Sequence, residues 1–192
     1  MYMKRLDKEM LIQEARQKGV EINNINDLIK INMKYRDLVP ILLKHLNEVT
    51  DESDKEFIVR CLGVKGFYEA TKPLINEFYK SNNISFKWAI GNSLSIISDV
   101  ESVPELIKIV QEKEHGIARQ MIVDGLGAYK SDDVKAVLVN LLNDDEVVGH
   151  AISGISKIGD KELIKYIEPF LTYKVKWVRN EVRKAIKKLE KV

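Results

Sequence analysis

The C-terminal segment carries the densest set of charged side chains in the sequence. From residue 174 to the end there are eight basic and two acidic residues, a net charge of +6 within a chain whose total is +2. Four of the cations recur at three- and four-residue steps: Lys176, Arg179, Arg183 and Lys187. On a helix this spacing forms a stripe that could neutralise successive phosphates of a nucleic acid. It could equally be a solvated terminal face whose cations complement the helix dipole, and the sequence favours this second interpretation.

Trp177 lies within this stripe, and Glu181 follows it by about one helical turn. Tryptophan serves in protein interfaces and in base stacking, and in a helical protein it also fills gaps between layers. Both interpretations stay open for Trp177. Trp88 occupies a different position in its own segment, and core packing is the favoured interpretation there.

Other candidate chemistry has weak support in the sequence. His45, His115 and His150 are far apart and have no cysteine at ligand spacing, so no metal site is expected. Cys61 follows an apolar helical pattern, which indicates a buried, inert thiol. The segment Gly125–Ser131 lacks the glycine spacing of a phosphate-binding loop. No isolated pair of carboxylates suits acid–base catalysis, and no cofactor is expected.

The elements that would position these residues follow a repeat of about thirty residues. An apolar anchor recurs after steps of 32, 32, 29 and 31 residues: Leu62, Leu94, Leu126, Ile155 and Ile186. A small residue precedes each anchor: Cys61, Ser93, Gly125, Gly154 and Ala185. Each repeat must bury its apolar face on its neighbours. Both sets are therefore expected to be buried, with the small residues against an adjacent helix.

Each repeat is predicted to be a helical hairpin, made of an anchor helix followed by a second helix. The second helices are predicted at Asp37–Leu46, Thr71–Lys80, Ser102–Glu112, Asp132–Leu142 and Lys161–Leu171. A weak first helix is predicted at Asn26–Met33, and Pro169 is expected to bend or shorten the last second helix. The expected fold is all-α, a right-handed α-solenoid of about five hairpins. It is predicted as one domain over residues 1–192, with residues 1–25 as an N-terminal helical cap and 26–192 as repeats.

The residues that recur at equivalent positions of each repeat, which we call columns, resemble HEAT-like repeats, including the type found in phycobilisome lyase subunits. The family pattern of Val-Arg, then Ala and Ala-Leu, is matched by Val178, Arg179, Val182, Ala185 and Ile186. Residues 144–160 form the most similar single copy, with Val148 where the family has a basic residue. The resemblance covers about residues 26–192 and implies the solenoid fold. It implies no single activity, because adaptors, lyase subunits and some DNA-repair proteins share this repeat.

The basic residue of the pattern recurs in four copies: Lys55, Lys87, Arg119 and Arg179. These side chains could contact a ligand. In HEAT-like repeats the position more often pairs with an acidic group of the adjoining repeat. We favour this structural interpretation, with Asp99 and Asp160 as candidate partners.

The function predicted from the sequence is non-catalytic binding by an adaptor or scaffold. The second helices are expected to line a shallow concave surface that docks a protein partner. Its exposed candidates fall between the apolar positions of these helices: Lys44, Glu77, Lys108, Lys135 and Lys165. The charged N-terminal residues and the absence of a long apolar run predict a cytoplasmic protein that does not engage a membrane.

The alternative function is nucleic-acid binding through the C-terminal basic helix. The HEAT-like alkylpurine DNA glycosylases hold a damaged nucleotide with aromatic and acidic groups in a basic groove. A resemblance to them would give that role to Trp177 and Glu181, and phosphate contacts to Lys176, Arg179, Arg183 and Lys187. A third possibility, a lyase or chaperone subunit for a bilin-type cofactor, has only the repeat in its favour.

Overall fold

A computed structural model describes residues 3–191, and every regular element within that range is a helix. The helices are packed consecutively, as expected of an α-solenoid of HEAT-like repeats, so the predicted fold class is confirmed. The chain divides into two compact units, the first ending at Asp99 and the second beginning at Val100. The assignment of residues 1–192 to one domain stays a prediction.

The first unit contains five α-helices: α1 (Lys8–Gln17), α2 (Val39–Glu48), α3 (Glu52–Leu62), α4 (Thr71–Lys80) and α5 (Ile84–Ile97). Side chains that accept backbone N–H groups begin several of them, such as Asp7 at α1 and Asp51 at α3. The weak helix predicted at Asn26–Met33 is replaced by two 3-10 turns, Ile25–Lys30 and Met33–Leu38. Asn24 and Asn32 each cap one of these turns, which divides the segment into pieces too short for an α-helix.

The second unit contains six α-helices: α6 (Val103–Gln111), α7 (Gln120–Leu126), α8 (Asp132–Leu141), α9 (Val148–Ile158), α10 (Ile164–Ile167) and α11 (Lys176–Leu189). The second helix predicted at Lys161–Leu171 is reduced to α10, between 3-10 turns at Lys161–Leu163 and Glu168–Thr172. Pro169 lacks an N–H group and cannot continue the α-helical ladder. The side chains of Ser131 and Asp160 accept backbone N–H groups at the starts of α8 and of the 3-10 turn Lys161–Leu163.

Anchor helices lie close together in each unit. In the second unit α9 lies along α7 on one side and α11 on the other, whereas α6 and α8 touch over only a short stretch. Glycine makes this approach possible, since a Cβ at Gly127 would lie 2.2 Å from the carbonyl oxygen of Gly154. The expectation that the second helices line a shallow concave surface stays a prediction.

The small-residue column and the anchors show how far the repeat pattern predicts burial. All five small residues are buried, and so are four of the five anchors. Ile186 is the exception and is only half-buried, because no later helix of the described chain packs on α11. Burial of the repeat columns is therefore confirmed except at the outer side of this last helix.

Candidate functional site

The second-helix residues predicted to dock a partner have three different environments. Lys44, Lys108 and Lys165 are exposed, as expected. Lys135 is half-buried, with its Nζ 2.9 Å from Asp160. Glu77 is buried, with only 5% of its surface exposed, so the expectation that it is a surface residue is wrong.

Glu77 is buried because two lysines neutralise it. Its carboxylate lies 2.5 Å from Nζ of Lys55 and 3.0 Å from Nζ of Lys80. Burial opposes ionisation of this carboxyl, but the hydrogen bonds from the two lysines outweigh it and hold the pKa of Glu77 below its ordinary value. Lys55 stands in α3 and Glu77 in the following second helix, so the contact joins the two helices of one hairpin.

Arg119 is the most completely buried member of the basic column, with none of its surface exposed. Its guanidinium donates to the backbone carbonyls of Gly116 and Val110, each at 2.9 Å. It also donates to Asp144 at 2.9 Å and Glu146 at 3.1 Å, both from the turn that leads into the next anchor helix. The structural interpretation of the column is confirmed for Arg119, although its partners are these two acids and not Asp160.

The residues predicted to contact a nucleic acid on the C-terminal helix differ in their exposure. Lys176, Trp177, Arg183 and Lys187 are exposed on α11. Arg179 is half-buried, and its guanidinium donates to the backbone carbonyl of Tyr173 at 2.6 Å and to that of Lys174 at 3.2 Å. Arg179 therefore holds the turn before α11, and the stripe keeps three of its four cations at the surface.

Trp177 is half-exposed, at 51%, and its ring packs against the neighbouring anchor helix. The edge of the indole lies over Gly149 of α9, where an added Cβ would come within 1.9 Å of Cη2 of the ring. His150 packs beside it, with the ring centroids 5.7 Å apart and the planes at 66°. We call Trp177, Gly149 and His150 the Trp177 site; it lies on the anchor-helix layer of the second unit.

Charged groups surround the Trp177 site. Asp124 of α7 and Lys157 of α9 form an ion pair at 2.5 Å, and Glu181 follows Trp177 by one turn of α11. Burial lowers the pKa of His150, and the carboxylates of Asp124 and Glu181 oppose that shift. His150 is therefore a neutral ring at physiological pH. Its buried Nδ1 has no hydrogen-bond partner in the described chain.

Sequence reasoning identified Trp177 but missed Gly149 and His150 as its support. The signal was present in the repeat alignment. The residue after the basic position is Glu56, Trp88, Gln120 and Asn180 in the other copies, and Gly149 alone is glycine there. A glycine inside a helix lowers its stability and often marks a close approach by another group. Here that group is the indole of the next anchor helix.

The remaining candidate chemistry is structural. Burial raises the pKa of the Cys61 thiol, which is fully enclosed, and this makes it a poor nucleophile. Within residues 3–191, no three potential ligands among His, Cys, Asp and Glu are grouped to hold a metal ion. In the same range no helix is long and apolar enough to cross a bilayer. The arrangement at the Trp177 site is suited to binding: a fixed aromatic ring with charged groups around it.

Comparison with known families agrees with the helical repeats of the second unit. A family model described as HEAT repeats matches residues 103–187, a segment that lies within the second unit and includes α7, α9 and most of α11. The chain is thus similar to HEAT repeats over that segment. No curated protein matches the chain.

Proposed function

We propose that this protein is a docking module that binds a protein partner on the anchor-helix layer of its second unit. HEAT repeats commonly serve as protein-interaction scaffolds, and stacked helical repeats build extended concave surfaces suited to that use. The predicted adaptor function is kept in this proposal. Its contact surface moves from the second helices, where Glu77 is buried and Lys135 is paired, to the Trp177 site.

The observation that carries the proposal is the position of Trp177. A large aromatic side chain that is half-exposed and already fixed loses little conformational entropy when a partner covers it. Tryptophan is also among the residues that contribute most to binding when they are buried in an interface. Gly149 leaves room for the edge of the indole on α9, and His150 packs beside the ring, while about half of the side chain stays exposed.

The test is affinity capture from nuclease-treated lysate with wild-type protein, Trp177→Ala and a matched control. Tyr166→Ala is the control, because Tyr166 is an exposed aromatic residue of α10, outside the anchor-helix layer. We expect Trp177→Ala to lose a partner that wild type and Tyr166→Ala both retain. Truncation of a central interface tryptophan weakens binding by roughly 2 kcal/mol or more.

Two other outcomes would count against the proposal. Equal capture by Trp177→Ala and wild type would exclude the Trp177 site as the contact surface. Loss of capture only in Tyr166→Ala would return the contact surface to the second helices, as the sequence predicts.

A further inference from the structure

The outward side of α11 is occupied almost entirely by cations. Five of them are exposed, and we call them the cationic face: Lys176, Arg183, Lys184, Lys187 and Lys188. At 100° per residue, positions 176, 183 and 187 fall within about 40° of one another, so they form a straight row along the helix. The row extends for about 16 Å at 1.5 Å per residue.

Little within the described chain neutralises this face. Lys184 reaches Glu181 at 3.5 Å, and Arg183 donates to the side chain of Asn180. No described carboxylate forms an ion pair with Lys176, Lys187 or Lys188. In contrast, the cations of the basic column at Lys55 and Arg119 are each held by carboxylates. The cationic face therefore has free charge that folding does not use.

The start of α11 also lacks the usual stabilising residues. Its first turn has no acidic residue and no side-chain cap, and Lys176 places a positive charge at the positive end of the helix dipole. Helix α8 shows the usual arrangement, with Ser131 as cap and Asp132 and Asp133 in the first turn. Charges arranged against local helix stability indicate a role outside the fold.

We infer that the cationic face binds a short acidic segment of the protein partner, with Trp177 contacting an apolar residue at one end of that segment. This inference rests on the proposed docking role and names the chemistry of the partner. An extended chain covers the row of about 16 Å with about five residues at 3.3 Å each. Trp177 follows Lys176 and lies about 100° around the helix from the row, on the side where Lys184 and Lys188 also lie, so the apolar end of the segment would reach the indole from that side.

Charge distribution favours an acidic peptide over a nucleic acid. Residues 100–173 carry thirteen acidic and eight basic side chains, a net charge of −5, against +6 from residue 174 onward. A nucleic acid continues as a polyanion past both ends of a helix of this length, so it would also run beside the acidic remainder of the unit. A short acidic segment ends where the cationic face ends, and thus avoids that repulsion.

The experiment measures binding of a fluorescein-labelled peptide of about five glutamates followed by leucine, a length that matches the row. The test variant is Arg183→Glu with Lys187→Glu, and the matched control is Lys161→Glu with Lys165→Glu. The control changes the net charge equally, at exposed positions of the same unit. We expect the test variant to bind about tenfold more weakly or worse, and the control to stay within about twofold of wild type.

Circular dichroism and the melting temperature establish that both variants fold. If the charge-reversed variant unfolds, Arg183→Gln with Lys187→Gln replaces it, and the same order of affinities is expected. Equal weakening in test and control variants would show unspecific attraction and overturn the inference. Tighter binding of a short DNA duplex than of the peptide would overturn it in favour of a nucleic-acid site.

The outcome separates this inference from the docking role. Suppose that Trp177→Ala loses the captured partner and the test variant retains it. The docking role then stands, and the acidic-segment inference fails. If the test variant loses the partner and Trp177→Ala retains it, the cationic face is the contact surface and the Trp177 site is not.

Discussion

Arg119 and Arg179 occupy the same column of the repeat and have opposite environments. Arg119 is fully buried and makes hydrogen bonds to two carbonyls and two carboxylates. Arg179 is half-buried and contacts only the carbonyls of the turn before its own helix. The difference follows from position. Asp144 and Glu146 stand before the next anchor helix and reach back to Arg119, whereas no later anchor helix of the described chain follows α11.

This comparison shows where repeat residues serve stability and where they are available for binding. At interior positions of the column the charged residue pairs with carboxylates, as Arg119 does with Asp144 and Glu146, and as Lys55 does with Glu77. On the last helix the same pattern leaves cations at the surface, and the adjacent indole of Trp177 is only half covered. The outer side of α11 is therefore a surface that packing within the described chain leaves available for binding.

Replacing Arg119 by alanine should give the largest effect. The change leaves two carboxylates and the Val110 carbonyl without their donor, so we expect a loss of about 3–5 kcal/mol in the free energy of unfolding. Arg179→Ala should lose about 1 kcal/mol, because only carbonyl contacts near the surface are removed. Urea denaturation of both variants measures the difference. Equal losses would refute the contrast between the two positions.

Glu77→Gln extends the comparison to Lys55, an interior member of the same column. We expect a loss of about 2 kcal/mol near neutral pH. The folded-state pKa of Glu77 is held below its ordinary 4.5, so this stabilisation is complete above that pH and is lost as the pH falls through the folded-state pKa. The gap between wild type and variant in unfolding free energy should therefore narrow in acid. A gap that is constant with pH would contradict the ion-pair account.

Gly154→Leu tests the close packing of the interior anchor helices. Even a Cβ at this position would lie 3.1 Å from Leu138 side-chain atoms and from the Val123 carbonyl. We expect overpacking to cost about 1–3 kcal/mol. Ser153→Leu, at the adjacent half-exposed position, is the control and should change the melting temperature little. If both variants have the melting temperature of wild type, that result would contradict the close packing around Gly154.

Gly149→Ala should have the smallest effect on stability and a clear effect on Trp177. Alanine favours the helix by about 0.5–1 kcal/mol over glycine, which offsets the displacement of the indole by the new Cβ. We expect a nearly unchanged melting temperature and a tryptophan emission shifted to longer wavelength as the ring leaves α9. Emission that is unchanged in position and intensity would mean that the ring does not rest on Gly149.

Capping residues and apolar spacing predicted helix bounds well where no tertiary contact changes the helix. The bounds of α4 agree with the prediction, and α8 begins at Asp132 as predicted, because capping and apolar spacing depend on nearby residues. Pro169 was recognised as a disturbance, but the chain breaks there into α10 and two 3-10 turns, a larger change than a bend. The tertiary environment decides how a proline interruption is accommodated.

The candidate site was less predictable because it depends on contacts between helices that are distant in sequence. Glu77 falls between apolar positions of α4 and looks exposed in sequence, yet Lys55 reaches it from α3. The close approach between Gly127 and Gly154 likewise becomes visible only in three dimensions. Trp177 could be identified as a candidate from its residue type, whereas its support by Gly149 required the packed helices.

The most direct test of the account places a photo-crosslinking side chain on the Trp177 site. Trp177→p-benzoylphenylalanine and, as a matched position, Tyr166→p-benzoylphenylalanine are irradiated with the captured partner, and the cross-linked peptides are identified by mass spectrometry. The account predicts cross-links from position 177 to an acidic segment of one partner and none from position 166. Cross-links from position 166 alone, with position 177 silent in a folded protein, would contradict docking on the anchor-helix layer.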